Sequence, residues 1–304
     1  MTGGAISGSL IGAEGVVRLG ELSGRGLWAV EGSDRVRYLN GQVTNNVAKL
    51  GAWESQPACL TTAKGKLCAE LRVTAAKDGF WLDADGALAE VLPARLERYM
   101  VADDVRISVL EGWRLFHWLG PGEPPEDAGL RVRSERFGAP GWDVWVRTGC
   151  EKGIQGVSGA EWLSAEDWER LRVEVGVPRW GFELDEDVLP PEAGLDRTHV
   201  DYHKGCYVGQ EVISRLKSVG RVNRSLVGLE AGPGLVRGME IWSPEEKNRP
   251  AGVVTSAVAS FALEKSLGLG YLRRGVEARN LVARPAGATG TEVPVKLRAL
   301  HTAS

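Results

Sequence analysis

Between His203 and Arg224 the chain reads HKGCYVGQEVISRLKSVGRVNR. A thiol, an ammonium, two close glycines (Gly205 and Gly209), a Gln-Glu pair and four further basic side chains fall within these 22 positions. A cysteine reacts or ligates as its thiolate, which neighbouring cations or a helix N-terminus favour. Lys204 and His203 precede Cys206 by two and three residues. Val208, Val212 and Leu216 recur every four residues, the spacing of a helix that begins near Gly209. Its first turn would set positive peptide dipoles beside Cys206. No Asp or Asn is obviously placed to orient the His203 ring, so a Cys-His dyad is weakly supported. Local chemistry leaves two readings of Cys206 open: an activated thiol, or a small inert residue in a buried turn. Gly205 and Gly209 permit close backbone approach or positive φ, but the lysine precedes the turn instead of following it, which is not the order of a phosphate loop. Gln210 and Glu211 can reach a ligand or cap backbone groups. Arg215, Lys217, Arg221 and Arg224 can meet a carboxylate or phosphate, or form a solvated helix end.

The elements that must hold this stretch are readable in outline. EGSDRVRYLNGQVT predicts a short helix entered at Ser33, with Val36 and Leu39 inward and Gly41 as the stop. SQPACLTT, KLCAELRVT and GFWLDA are apolar runs separated by turn-like AKGK and AAKDG. Leu88, Val91, Leu92, Leu96 and Tyr99 then fall at helical spacing, and DVRISVL alternates as a strand. Residues 51–110 thus read β-β-β-α-β, a sheet with a helix packed on it. WRLFHWLG and GWDVWVRTG continue as strands, the second with Trp142, Val144 and Val146 on one face. Ser164 and Asp167 form the start of a capping box, Trp168, Leu171 and Val175 line the helix that follows, and Gly176 with Pro178 ends it. RWGFELDEDVLPPEAGLD is an extended loop, and the short strands and glycine turns beyond it predict a small barrel. Trp28 and Trp168 are each open to two readings, core packing or stacking on an aromatic ligand.

Composition bounds the rest. The 304 residues, 43% of them hydrophobic, suffice for two or three modules, and 40 glycines imply many turns. A net charge of −3 argues against bulk binding of nucleic acid, and makes direct binding of tRNA doubtful. From His203 onward, however, 15 basic residues stand against 8 acidic ones, a surplus suited to an anionic ligand or partner. Cys59, Cys68, Cys150 and Cys206 form no CxxC pair and there are four histidines, so neither a disulfide framework nor a metal site is expected. MTGGAISGSLIGAEGVVRLG lacks the features of a signal or transit peptide, and no window approaches a membrane span. A cytoplasmic protein is the expectation.

KGCYVGQE at Lys204–Glu211, followed by Arg215, resembles the signature segment of the YgfZ family, folate-binding relatives of the T-protein (aminomethyltransferase) of the glycine cleavage system. GSDRVRYLNGQVTNNV, TTAKGKLCAELRV, VEVGVPRWGFELDEDVLPPEAGLD and AGVVTSAVAS resemble further family segments in family order, so the resemblance spans most of the chain. It implies an α+β, three-lobed fold around a central folate site. Helices would pack on antiparallel sheets, and the C-terminal lobe would be a small β-barrel. The implied division is a discontinuous central folate-binding domain (1–50 with 111–217), a 51–110 module and a 218–304 barrel. The resemblance also implies tetrahydrofolate as cofactor and a role in maintaining iron–sulfur proteins, including those that modify tRNA. Carried over by residue, Cys206 is the signature cysteine, with Lys204 beside it. Trp28, Trp168, Tyr207, Gln210, Glu211 and Arg215 are implied to contact folate.

One departure bears on the alternative of a folate-dependent aminomethyl or one-carbon transferase. Aminomethyltransferases carry Gly-Gly-x-x-Asp-Asp, with the first Asp near the reacting folate nitrogen. The matching GKLCAE puts Ala69 there, and a methyl group can neither exchange a proton nor stabilise charge. Glu70 fills the second acid position and is expected on the opposite face of the strand. Glycine-cleavage activity is therefore not expected.

Overall fold

The structure, a computed structural model, describes residues 15–218, 220–246, 248–260, 264–287 and 292–300. The first 14 residues of the N-terminal segment read above lie outside the described residues.

The chain enters through β1 (Arg18–Glu21), β2 (Arg25–Glu31), α1 (Arg35–Gln42), β3 (Ser55–Thr61), β4 (Leu67–Ala75), β5 (Phe80–Asp85), α2 (Val91–Glu97) and β6 (Arg106–Val109). Five of these strands form an antiparallel sheet in the order β3-β4-β5-β2-β6. The pairing groups residues differently from the expected division. β2, placed above with the central domain, lies between β5 and β6 and completes the 51–110 sheet. Its LWAV run explains this: Trp28 and Val30 enter the core under α1 and α2, while Leu27 packs on the other face with Leu115 and Trp145. A strand apolar on both faces belongs in the middle of a sheet. Alternation along β4 is equally plain. Ala69, Leu71 and Val73 enter the same core, which turns Glu70 and Arg72 the other way.

Two helix faces differ from expectation. In α1 the buried residues are Tyr38, Leu39 and Gln42, while Val36 is exposed. The Ser33 hydroxyl donates to Asp104 Oδ2 at 2.7 Å instead of capping the helix. Near α2 the buried stripe is Leu88, Leu92 and Leu96, spaced by four, so Val91 is rotated toward solvent and Tyr99 lies past the helix end.

The second lobe comprises β7 (Trp113–Leu119), β8 (Leu130–Ser134), β9 (Gly141–Arg147), α3 (Lys152–Gln155), β10 (Glu161–Trp162) and α4 (Ala165–Val175). Its sheet runs β10-β1-β7-β9-β8, antiparallel except for β1 with β10. Val144, Val146 and Trp142 share a cluster, as their alternation predicts. The capping box of Ser164 and Asp167 is formed, and Gly176 closes α4 in the left-handed conformation with φ +93°.

A long irregular segment leads to α5 (Gln210–Ser218), then to β11 (Arg224–Ala231), β12 (Glu240–Trp242), β13 (Gly252–Ala259), β14 (Ser266–Arg273), β15 (Leu281–Arg284) and β16 (Val293–Arg298). These last six strands close a barrel in the order β11-β14-β13-β12-β15-β16. A buried polar cluster fastens the barrel to α4. Arg172 donates to Glu183 Oε2 (2.8 Å), Ser256 Oγ (2.7 Å) and Glu169 Oε1 (2.6 Å), and Ser256 Oγ donates to Glu183 Oε1 (2.6 Å). Every heteroatom of that guanidinium has an acceptor, the condition under which a buried charge is tolerated.

Candidate functional site: a central cavity and a surface loop

Where the three lobes meet there is a cavity of about 1000 Å³. β4 contributes Glu70 and Arg72, the β8–β9 hairpin contributes Arg136 and Phe137, α4 contributes Trp168, and the Pro191–His199 segment closes the remaining side. Its size and its mixture of aromatic and ionic walls suit a ligand with a flat ring system and polar edges.

Among the acidic residues of the lining, Glu70 stands on β4 beside Arg72. Its Oε1 lies 3.4 Å from His199 Nε2, and Oε2 lies 4.0 Å from Arg25. Burial pushes the carboxyl up, but the His199 hydrogen bond and the Arg25 charge outweigh it and hold the pKa at about 2. His199 Nδ1 in turn is 2.8 Å from Thr198 Oγ1. Both contacts to Glu70 are long, so the carboxylate keeps accepting capacity toward the cavity.

Behind this wall runs a chain of charge. Arg25 Nε donates to Asp83 Oδ1 at 2.7 Å, and Arg136 bridges Asp83 and Asp143. His117 Nδ1 is 2.8 Å from Asp143 Oδ1. Burial raises the Asp143 carboxyl, yet Arg136 and His117 together hold it well below the carboxylate range. Burial lowers His117 against the pull of Asp143, which favours a neutral ring with Nδ1–H donating. Burial and the neighbouring Arg136 charge bring the Arg72 guanidinium down to about 10. Arg136 is thus locked from both sides, and the next residue, Phe137, is fixed with it. The Phe137 ring lies on Trp168 with centroids 5.0 Å apart and planes 13° apart.

Of the eight residues singled out from sequence, Trp168 lines this cavity and the other seven do not. Trp28 is 1% exposed in the first sheet's core, so close beneath Gly26 that a Cβ there would lie 2.3 Å from the indole. Cys206 is exposed on the loop before α5, as are Glu211 and Arg215 on the helix itself, and Gln210 is half-buried. Lys204 and Tyr207 are buried. The Lys204 ammonium donates to the carbonyls of Asn40 (2.6 Å), Val43 (2.8 Å) and Asn45 (2.7 Å), gathering the chain as it leaves α1. Burial lowers its pKa to about 8. Three carbonyl acceptors match the three protons of the charged form. Gly209 adopts φ +88°, and a Cβ there would stand 2.5 Å from the Thr62 carbonyl. Thr61 Oγ1 donates to the Val208 carbonyl at 2.5 Å. The signature stretch is therefore an anchored surface loop that presents Cys206.

The structure also corrects the argument about the missing acid. Ala69 is buried in the sheet–helix core, and Glu70 faces the cavity. The cavity wall therefore carries a carboxylate on the strand position after Ala69. Sequence reasoning also passed over Arg25, Arg136, Phe137 and His199, which lie on three separate segments and carry no shared motif.

Residues 224–303 match the family described as Glycine cleavage T-protein C-terminal barrel domain. The aminomethyltransferase of Rubrobacter xylanophilus is 27% identical over 284 residues, covering 83% of this chain and 75% of that protein. The mitochondrial aminomethyltransferase of Gallus gallus is 29% identical over 287 residues, covering 80% and 71%. The tRNA-modifying protein YgfZ of Yersinia pestis is 26% identical over 257 residues, covering 76% and 78%. This chain is a relative of YgfZ and the T-protein. Its fold is T-protein-like: the glycine cleavage system aminomethyltransferase T of Bartonella henselae superimposes with a TM-score of 0.80 at 22% identity, covering 95% of this chain and 87% of that one. In this T-protein relative no helix among the described residues is long and apolar enough to cross a membrane. No group of His, Cys, Asp and Glu among those residues is arranged to hold a metal ion.

Proposed function

We propose that the protein binds tetrahydrofolate in the central cavity and supports tRNA modification through the upkeep of iron–sulfur proteins. The observation that carries the folate reading is the junction cavity itself. The Trp168–Phe137 pair offers an aromatic wall for a pterin or aryl ring, and Glu70 offers an acceptor for ring N–H groups. Similarity to both folate-related groups supports it. Cys206 would act at the surface, on a partner protein instead of on the folate, because it lies outside the cavity lining. Binding of 5-formyltetrahydrofolate, followed by tryptophan fluorescence and melting temperature, tests the first part. Unchanged signals at saturating ligand would remove its support. Cys206→Ser in a deletion strain, scored by a methylthio modification of tRNA, tests the second part. Full modification in that strain would reassign the thiol as structural.

A second reading, a folate-dependent aminomethyl or one-carbon transferase, is favoured by the Glu70 carboxylate on the cavity wall. Turnover of an aminomethylated carrier protein decides it. If turnover occurs, Glu70→Gln should abolish it.

A further inference from the structure

Arg72 stands on β4 two residues from Glu70, on the same face and in the same cavity wall. It is only 8% exposed. The other two guanidiniums of this wall are engaged by the protein: Arg25 donates to Asp83, and Arg136 to Asp143 and Asp83. Arg72 differs. Its only ion-pair contact among the described residues is with Asp143, Nε to Oδ2 at 4.0 Å, and its Nε has no hydrogen-bond partner among them. The hydroxyls of Ser55 on β3 and Ser134 on β8, in the same lining, are also buried without a partner. Ser55 pairs with Thr74, which makes Arg72 its diagonal neighbour across the two strands. A guanidinium is all donor, and buried donors find acceptors, so one is due from whatever enters the cavity.

The local charge says what kind of acceptor. Arg25, Arg72 and Arg136 stand among Glu70, Asp83 and Asp143, three cations against three anions. A carboxylate entering here would leave this buried cluster with an unmatched negative charge, whereas a neutral oxygen keeps it balanced. We propose that Arg72 is a specificity-determining residue of the cavity, donating to a neutral carbonyl oxygen of the bound folate. The proposal rests on the folate reading above. Every tetrahydrofolate has such an oxygen at C4 of its pterin ring, and a formylated one has a second on its one-carbon unit. Glu70 as acceptor for N–H groups and Arg72 as donor to an oxygen, two residues apart on one face, match a ligand edge that carries both kinds of group. The Ser55 and Ser134 hydroxyls can rotate to add donors to the same oxygen. The anionic glutamate end of the ligand is thereby kept off this wall.

The test measures binding of 5-formyltetrahydrofolate and 5-methyltetrahydrofolate by calorimetry on the full chain, in the unaltered protein, Arg72→Met and Arg72→Lys. Arg72→Met should bind the formyl ligand at least about tenfold more weakly, the worth of one hydrogen bond from a charged donor. Arg72→Lys keeps the charge and a single point donor, so its loss should be smaller. An equal loss for both ligands assigns the ring carbonyl, and a loss confined to the formyl ligand assigns the formyl oxygen. Unchanged affinities in Arg72→Met overturn the proposal and leave the folate reading standing. A loss that lysine does not reduce makes Arg72 a packing residue and also overturns it. Should Arg72→Met not fold, Arg72→Lys decides alone: weaker binding supports the proposal and unchanged binding overturns it. Failure of both ligands to bind the unaltered protein overturns the folate reading itself, and this proposal with it.

Discussion

Glu70 and His199 meet on the cavity wall, Oε1 to Nε2 at 3.4 Å, although 129 positions separate them in the chain. With Arg25 behind it, this contact holds the Glu70 carboxyl at about 2, against an ordinary value of 4.5. A carboxyl depressed on folding stabilises the native state above its unfolded pKa and loses that contribution as pH falls through the folded value. The pH window is therefore about 4.5 down to about 2. Glu70→Gln should flatten the decline of Tm with pH across that window relative to the unaltered protein. Parallel Tm curves would show that the carboxylate is not coupled to its neighbours.

Lys204 is expected to act as a strut. Lys204→Met keeps the length of the side chain and leaves the carbonyls of Asn40, Val43 and Asn45 without their donor. A loss of about 3 kcal/mol is expected in urea unfolding, since each unsatisfied buried acceptor costs about 1–3 kcal/mol and some recover water. A change below about 0.5 kcal/mol would move Lys204 from structure to chemistry.

The two glycines of the signature loop should behave unequally. Gly209→Ala meets both a left-handed backbone and the Thr62 carbonyl, and should destabilise by about 2 kcal/mol or more. At Gly205 a Cβ meets nothing within 4 Å, so Gly205→Ala should stay within about 0.5 kcal/mol. Equilibrium unfolding of the pair reads the difference directly.

The two tryptophans should separate binding from stability. Trp168→Phe should remove most of the fluorescence change on adding 5-formyltetrahydrofolate, because Trp168 lines the cavity. Trp28→Phe should retain that change. Trp28→Ala should cost about 3–5 kcal/mol, the range for emptying a buried aromatic site. Loss of the signal in Trp28→Phe with Tm unchanged would contradict this assignment.

Local signals in the chain were sufficient wherever one element's own chemistry settles the matter. Ser164 and Asp167 cap α4, Gly176 ends it, and the alternation of Leu71, Val73 and Ala75 defines β4. The same alternation, followed back one residue, places Glu70 opposite Ala69. Matching the pair of acids position by position missed only that the cavity lies on the Glu70 face and the core on the Ala69 face. The helix faces of Val36, Val91 and Tyr99 were misjudged because α1 and α2 have eight and seven residues, too few for spacing alone to choose between adjacent stripes.

By itself, the sequence determined the run of strands in 51–110, the capped helix α4, the C-terminal barrel and the helix that follows Cys206. These follow from periodicity, turns and caps, which act over a few residues. Tertiary structure decided that β2 joins the 51–110 sheet, that Trp168 faces the cavity while Trp28 does not, and that Glu70, His199, Arg25 and Arg136 converge. Those outcomes depend on which surfaces remain after each sheet has buried its apolar face. A cavity between lobes is the space left by that packing, and no single segment encodes it.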